Sequence, residues 1–336
     1  MVSVAPSNSS MADNPLRILV INNADDGEEF SEPIVKILGR SRVVGKQTWM
    51  SSFTQTKMIP KTSATSKPKF SSPSKKTQLE LQLEMDDAAS IECVTIYWDA
   101  LKVDAQTGEV TFTHTLYLGS QLVIDQGQTR TESLAAFDGI ISSGSPQGDD
   151  PMASHAPHYS WLLQTEIPFF GICCGHHLVG YLSGNPLTRD GSQSESGNLP
   201  ITIVRDDPIF KGLGVSVALE AFDPPTRGAR RVPQETGSCV GSKITVKQMH
   251  NDAMPLPEAF EVLASSDRCP VQMIRDLRRP LFYSTQFHPE YHNAQLIYNF
   301  VELIQNPPKR EPYCPPAPAP ASAPSSDMFV TEQEQE

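Results

Sequence analysis

Short apolar runs and amphipathic stretches alternate along much of this chain. A run of apolar residues bounded by turn residues predicts a strand that is buried on both faces. An apolar face that recurs every three to four residues, as in Phe30–Leu38 and Ala294–Gln305, predicts a helix packed against such strands. The predicted core strands are Leu16–Asn22, Cys93–Trp98, Phe137–Ser142 and Ile167–Phe170. Because strand and helix alternate, we predict an open, mostly parallel, twisted α/β sheet flanked by helices.

Three polar stretches lack this pattern and mark the predicted limits of the folded domain. Residues 1–14 are Ser-rich, residues 51–76 are rich in Ser, Thr, Lys and Pro, and residues 306–336 are Pro-rich with an acidic end. Such compositions bury too little apolar surface to offset the entropy of ordering, so we predict that all three are disordered. Residues 99–130 are polar and turn-rich and predict a second insertion. One domain, residues 15–305, carries the fold.

Charge and cysteine content narrow the possible partners. The chain carries 39 acidic against 27 basic residues, a net charge of −12, which disfavours nucleic acid as a partner. No apolar run approaches the roughly 20 residues of a membrane span. The N-terminus has no basic region followed by an apolar one, so we predict neither a membrane segment nor a secretion signal. The six cysteines show neither metal-ligand spacing nor a disulfide framework, which predicts a cytoplasmic protein.

A candidate nucleophile follows the strand predicted at 167–170, in Gly171-Ile172-Cys173-Cys174-Gly175-His176-His177. Gly-x-Cys-x-Gly between a strand and a helix is the arrangement of a nucleophile elbow, with cysteine in the place of serine. The two glycines allow a sharp turn, and the central residue is held in a strained conformation. Cys173 then projects beyond the sheet edge at a helix N-terminus, a position that suits a sulfur nucleophile. The motif is short, and buried cysteines often serve packing alone, so a second motif has to support it.

That second motif is Ser284-Thr285-Gln286-Phe287-His288-Pro289-Glu290. A cysteine nucleophile needs a general base, and the base needs a group that orients it. Residues two apart in an extended segment share one face. The carboxylate of Glu290 can therefore reach the imidazole of His288.

Together the two segments resemble the motifs of the class I glutamine amidotransferases, G-x-C-x-G-H-Q and Q-F-H-P-E. A third match is Phe137–Pro146, where the family has D-G-I-I-x-S-G-G-P. The resemblance spans roughly residues 16–305 and implies a flavodoxin-like fold with the triad Cys173, His288 and Glu290. It also implies that glutamine is hydrolysed at its γ-carboxamide through a glutamyl thioester, without a cofactor. The ammonia would pass to a separate synthetase or other acceptor enzyme.

The resemblance implies a substrate site as well. Backbone N–H groups of Cys174 and Ser145 would stabilise the oxyanion. Ser145 replaces a family glycine, which permits unusual backbone angles, and we expect the oxyanion geometry to be affected. His177 replaces a family glutamine, and an imidazole near its ordinary pKa of about 6.5 can become a double donor. We therefore expect weak turnover of free glutamine and a changed acid limb of the pH profile. The implied substrate-contacting residues are Gly144, His177, Glu195 and Gly197.

Other interpretations stay open at this point. A stand-alone γ-glutamyl peptidase or hydrolase of the same fold fits equally well, because no synthetase domain follows the histidine motif. A non-enzymatic scaffold is a third hypothesis. His250-Asn251-Asp252 matches the family's H-x-D loop, and His250 rivals His288 as base, but we interpret this loop as a substrate rim or partner contact. No metal is predicted, because Cys173 and Cys174 point opposite ways if extended and Pro289 prevents one continuous helix from presenting the nearby histidines together.

Overall fold

The computed structural model describes residues 15–24, 30–38, 91–104, 110–112, 116–118, 121–124, 134–146, 151–213 and 238–309. Three stretches for which we predict disorder fall outside these ranges: 1–14, 51–76 and all but the first four residues of 306–336. Their disorder stays a prediction.

The described elements follow the predicted alternation of strand and helix. The helices are α1 (Glu32–Ile37), α2 (Pro151–His155), α3 (Cys174–Leu182), α4 (Pro289–His292) and α5 (Gln295–Gln305). The strands are β1 (Leu16–Asn22), β2 (Ile91–Tyr97), β3 (Leu101–Val103), β4 (Val110–Phe112), β5 (Leu116–Leu118), β6 (Gln121–Ile124), β7 (Gly139–Ser142), β8 (Phe169–Ile172), β9 (Glu195–Ile203), β10 (Lys243–His250), β11 (Phe260–Ser265), β12 (Met273–Asp276) and β13 (Phe282–Thr285). Turns of 3₁₀ helix lie at Trp98–Ala100, Ala156–Tyr159, Leu162–Gln164 and Pro208–Phe210.

Nine strands form one sheet in the order β10-β9-β11-β12-β13-β8-β7-β1-β2. The strands β2, β1, β7, β8 and β13 run parallel to one another, which confirms the predicted α/β sheet. From β13 the sheet continues through antiparallel β12, β11, β9 and β10. Short connections join β11, β12 and β13, and short connections produce antiparallel neighbours because a parallel pair needs a long crossover. The carboxyl ends of β1, β7, β8 and β13 meet at one edge of the sheet.

Both faces of the parallel half are covered, which explains why its strands read as unbroken apolar runs. Consecutive residues of β8 show this. Phe170 packs on one face against Phe300 of α5, with ring centroids 5.4 Å apart. Phe169 packs on the other face against Phe282, with centroids 4.8 Å apart. All four rings are almost fully buried.

The predicted insertion at 99–130 contains two small antiparallel pairs where it is described, β3 with β4 and β5 with β6. The core strands on either side of the insertion are β2 and β7, and both of them pair with β1. In the described part of the chain, none of the helices combines the length and apolar character that crossing a membrane requires.

Candidate active site

Cys173 lies at the sharp turn between β8 and α3. Its backbone angles, φ 48° and ψ −93°, fall in a region that non-glycine residues rarely adopt. Its N–H donates to the Thr285 carbonyl oxygen at the end of β13 (2.8 Å), and its own carbonyl accepts the first helical hydrogen bond, from His177 (2.9 Å). Strain of this kind costs about 1–3 kcal/mol and persists where the surroundings enforce it. The predicted elbow conformation is present.

Both motif glycines are required by close packing at the turn. A Cβ atom on Gly171 would lie 2.9 Å from the backbone carbonyl group of Gly175. A Cβ atom on Gly175 would lie 2.9 Å from the Ser142 carbonyl oxygen at the end of β7. Any side chain at these positions would therefore push α3 away from the strands beneath it.

The two neighbouring cysteines point to opposite sides. Cys173 is 7% exposed, and its sulfur is one of the groups that raise the pKa of the His288 ring. Cys174 is buried in the core on the other face of the sheet, in the same apolar cluster as Leu178 and Tyr159. Of the two sulfurs, only that of Cys173 influences the pKa of His288, and Cys174 can serve the site only through its backbone N–H.

His288 and Glu290 follow the end of β13. The backbone N–H of His288 donates to the Lys247 carbonyl oxygen (2.9 Å), which fixes the segment against β10. Pro289 starts α4, and its first turn brings Glu290 under the ring. Nδ1 of His288 lies 2.7 Å from Oε1 of Glu290, and both side chains are buried. The carboxylate accepts from Nδ1–H, so the other ring nitrogen is left for the sulfur of Cys173.

The pKa of His288 reflects these two neighbours. Burial alone lowers the pKa of the ring, because it penalises the charged form. The carboxylate of Glu290 and the sulfur of Cys173 outweigh burial, through charge and hydrogen bonds, and raise the pKa to about 10. An imidazolium is therefore the stable form of His288 in the free site at neutral pH.

The loop after β7 closes the site from the other side. Ser143 donates its N–H to the Ile21 carbonyl oxygen (2.9 Å). A Cβ atom on Gly144 would lie 2.6 Å from Cε1 of His288, so only glycine leaves room for this ring there. Among the described non-glycine residues, only Cys173 and Ala259 have positive φ. Ser145 therefore has backbone angles that any residue can adopt. The serine fits at this position of the loop although the family has a glycine there.

His177 is one helical turn beyond Cys173 and almost buried. Its Nε2 lies 2.8 Å from Oε1 of Gln286, a residue of the histidine motif whose role the sequence pattern did not reveal. Burial, opposed by the bond to Gln286, lowers the pKa of His177 to about 4. The double donor that an imidazole can become near its ordinary pKa is therefore disfavoured at His177, because desolvation and the nearby His250 oppose the charged ring.

Glu195 and Gly197 occupy β9, away from the triad's own hydrogen bonds. Glu195 is buried, and its Oε2 accepts from Gln272 Nε2 (2.6 Å) and Ser266 Oγ (3.0 Å). Gly197 has φ 103°, and a Cβ atom there would meet nothing within 4 Å. Their contact with substrate stays a prediction.

His250 pairs with Glu195 rather than with the cysteine. Its Nδ1 lies 3.0 Å from the Asp252 carbonyl oxygen, and its Nε2 lies 3.6 Å from Glu195 Oε2. Burial lowers the pKa of His250. Because His288 is bonded to Glu290 and Cys173 raises the pKa of its ring, the arrangement favours His288 as the base. Within the described ranges, no group of three or more His, Cys, Asp or Glu side chains is arranged to hold a metal ion.

The chain is similar in sequence to several known proteins. The family profile described as "Glutamine amidotransferase class-I" matches residues 103–302. A glutamine-hydrolyzing GMP synthase subunit of Archaeoglobus fulgidus is 30% identical over 193 residues, which are 56% of this chain and 87% of that protein. Its counterpart in Thermococcus kodakarensis is 31% identical over 196 residues, with 56% of this chain and 87% of that protein covered. A solved glutamine amidotransferase from Thermotoga maritima matches with a TM-score of 0.40 and 14% identity, over 87% of this chain and 83% of that one.

The chain belongs to the class-I glutamine amidotransferase family. It is accordingly an enzyme that hydrolyses the side-chain amide of glutamine, as the three sequence motifs predicted.

Proposed function

We propose that Cys173, His288 and Glu290 form the catalytic triad of a glutaminase that supplies ammonia to a separate synthetase chain. The observation that supports this best is the bond from the Glu290 carboxylate to Nδ1 of the buried His288 ring (2.7 Å), a ring whose pKa the Cys173 sulfur also raises. These relations are the ones that a nucleophile, its base and the group orienting the base require. The three residues lie where β8 and β13 end, the edge at which open α/β sheets bind ligands.

The proposed reaction proceeds through two tetrahedral states. The sulfur of Cys173 attacks the γ-carboxamide carbon of glutamine, and the carbonyl electron pair moves onto oxygen. His288 gives its proton to the amide nitrogen, the C–N bond breaks, and ammonia leaves. A water molecule then loses a proton to His288 and attacks the glutamyl thioester. The C–S bond breaks, glutamate leaves, and the sulfur and the protonated ring are restored.

Backbone N–H groups stabilise the oxyanion in both states. Cys174 supplies one of them at the first position of α3. Ser145 supplies the other from the loop after β7. Donors that are fixed before charge develops lower the barrier most, and removal of one costs roughly 10²- to 10³-fold in kcat.

The proposed partner follows from the relatives. The curated proteins that the chain matches are named as one subunit of a glutamine-hydrolyzing GMP synthase, and the word implies a companion chain. We assign the reaction to the cytoplasm, because Cys173 has to remain a free thiol and a reducing compartment maintains it.

The test is release of glutamate and ammonia from glutamine by the purified chain, with acid-quenched intact mass to detect a glutamyl adduct. We expect turnover, an adduct, and a higher rate when the synthetase chain from the same organism is added. Turnover of a γ-glutamyl dipeptide together with inertness toward glutamine would instead establish the stand-alone γ-glutamyl hydrolase. Inertness toward both, with no adduct, would leave only the non-enzymatic scaffold.

Substitution of His177 tests the substrate site. We expect His177→Gln to raise kcat/KM for glutamine by about 2- to 10-fold, the worth of one hydrogen bond, because the amide both donates and accepts toward the substrate. Since the pKa of His177 is lowered to about 4, the ring is neutral above roughly pH 5, and the acid limb of the pH profile should be the same in both proteins. The measurement is kcat/KM from pH 5 to 9 for glutamine and for a γ-glutamyl dipeptide.

His176→Gln is the matched control for this substitution. His176 is the preceding residue of α3, fully buried and bonded through Nδ1 to Ser284 Oγ (2.8 Å). We expect its replacement to lower stability without raising glutamine turnover. Identical kinetics of wild type and His177→Gln on both substrates would remove His177 from the substrate site.

A further inference from the structure

Asn23, which directly follows β1, has every hydrogen-bonding group engaged although it is fully buried. Its backbone N–H donates to Ser143 Oγ (3.0 Å). Its side-chain Nδ2 donates to the Ser143 carbonyl oxygen (2.6 Å) and to Ser142 Oγ (2.9 Å). Three bonds therefore tie the end of β1 to the residues that end β7 and begin the next loop.

A second layer holds Asn23 in place. The phenol of Tyr159 donates to Asn23 Oδ1 and lies 3.2 Å from Ser142 Oγ. Burial raises the pKa of Tyr159 far above its ordinary value, so the phenol keeps its proton and remains a donor. Nε2 of His155 lies 3.0 Å from the Asn23 carbonyl oxygen. Because Oδ1 accepts from Tyr159, the side-chain amide has one orientation. In this orientation one Nδ2 proton points to Ser142 Oγ and the other to the Ser143 carbonyl oxygen.

The bonds of Asn23 lead to the catalytic centre along two paths. Ser143 Oγ, which accepts from Asn23, donates to the Gly144 carbonyl oxygen (2.8 Å). Gly144 in turn lies against the His288 ring. Ser142, the other partner, packs against Gly175 of the elbow so closely that a Cβ there would be 3.0 Å from Ser142 Oγ. Asn23 is thus bonded both to Ser142, which packs against the elbow, and to Ser143, which precedes the glycine beside His288.

We infer that Asn23 is a positioning residue for the oxyanion site. Asn23 holds the loop Ser143-Gly144-Ser145 at a fixed distance from the elbow. At this distance the backbone N–H of Ser145 can bind the oxyanion. This inference rests on the proposed function, because the oxyanion forms only if Cys173 attacks a carbonyl carbon. Asn23 touches neither substrate nor the reacting atoms, and it acts through the loop. An asparagine is required because the site needs one acceptor for Tyr159 and two donors for the loop, which neither aspartate nor leucine offers.

Asn23→Asp tests this with little change in volume. The carboxylate keeps an acceptor for Tyr159 but places an oxygen against the Ser143 carbonyl, so the loop shifts. We expect kcat for glutamine to fall about 10- to 100-fold, less than removal of a whole oxyanion donor, while KM changes less than threefold. Alkylation of Cys173 by iodoacetamide forms no oxyanion. Its rate and pH dependence should therefore stay within about twofold of wild type.

Asn299→Asp is the matched control. Asn299 is also a buried asparagine that donates to two main-chain carbonyls, those of Ile209 (2.7 Å) and Lys211 (2.8 Å), but it lies on α5. We expect it to lose stability and to keep kcat. Tyr159→Phe serves if Asn23→Asp does not fold, because it leaves Asn23 in place and removes the hydroxyl that orients its amide, together with the contact of that hydroxyl with Ser142 Oγ. We expect a several-fold loss of kcat with unchanged alkylation.

The outcomes separate the two claims. Unchanged kcat in Asn23→Asp, or in Tyr159→Phe where that variant has to replace it, overturns the inference. Parallel losses of kcat and alkylation overturn it too, since they indicate general damage to the site. Wild-type protein that is alkylated at Cys173 but turns over neither glutamine nor a γ-glutamyl dipeptide overturns the proposed function, and this inference falls with it.

Discussion

Cys173→Ala should release no measurable ammonia from glutamine, whereas Cys174→Ala should keep most of the wild-type rate. Loss of a nucleophile that works with its base as one unit costs roughly 10⁶-fold in kcat. Alanine at 173 leaves φ at 48° no more strained than cysteine does, so the variant should fold. Its loss of activity is then caused by the missing nucleophile and not by unfolding.

Cys174→Ala separates the side chain from the backbone at that position. The thiol is buried in the apolar cluster opposite the site, and its removal should cost about 1 kcal/mol of stability through a small cavity. The backbone N–H, the proposed oxyanion donor, is unchanged in alanine. Activity should therefore persist, measured by glutamate release next to a urea unfolding curve.

Labelling decides between the two cysteines directly. A glutamine-analogue electrophile should modify wild type and Cys174→Ala once each and leave Cys173→Ala untouched. Peptide mapping that places the label on Cys174 would contradict the assignment of Cys173 as the nucleophile. Loss of activity in both single variants, with normal unfolding curves, would show that the Cys174 side chain takes part in the site.

The elbow turn and the bond between His288 and Glu290 were predictable because their information is local. Two glycines and a cysteine at fixed spacing specify the strained turn, and His288 and Glu290 are two residues apart. The close contacts at Gly171 and Gly175 confirm the physical reason for that spacing. The parallel half of the sheet was predictable for a similar reason, because strands covered on both faces have unbroken apolar sequences.

Features set by distant residues were not predictable. Asn23 meets Ser142 and Ser143 across about 120 positions of sequence, and its own neighbours indicate only a turn. The neutral state of His177 depends on burial and on His250, neither of which its helix reveals. The bond from His177 to Gln286 joins two motifs that the family pattern describes separately. In each case the decisive contact is tertiary.

Glu290→Gln should keep the fold and lose roughly 10²- to 10⁴-fold in kcat, the range known for an orienting carboxylate in such triads. The amide can still accept from Nδ1–H of His288, since it matches the carboxylate in shape. It cannot stabilise the imidazolium by charge. Glu290 is fully buried beside the ring, so no solvent screens the charge that is lost.

Glu261→Gln is the control for loss of a buried carboxylate. Glu261 is largely buried and pairs with Arg275 and with Arg205, which contact none of the triad in the described bonds. We expect this variant to lose stability while its kcat stays within about twofold of wild type. A Glu290→Gln protein with wild-type kcat would show that another group holds the imidazole.

The pH dependence gives a sharper test of the same pair. The pKa of His288 is raised to about 10 in the folded protein, above its ordinary value of about 6.5. Its charged form therefore contributes stability that is fully present below about pH 6.5 and is lost as the pH rises through about 10. Glu290→Gln lowers the folded pKa, so this contribution should be smaller and should vanish at a lower pH. The free energy of unfolding of wild type should exceed that of the variant at pH 7, and the difference should shrink by pH 10.5. A difference that stays constant across this range would mean that Glu290 stabilises the fold by packing, and not by its charge on His288.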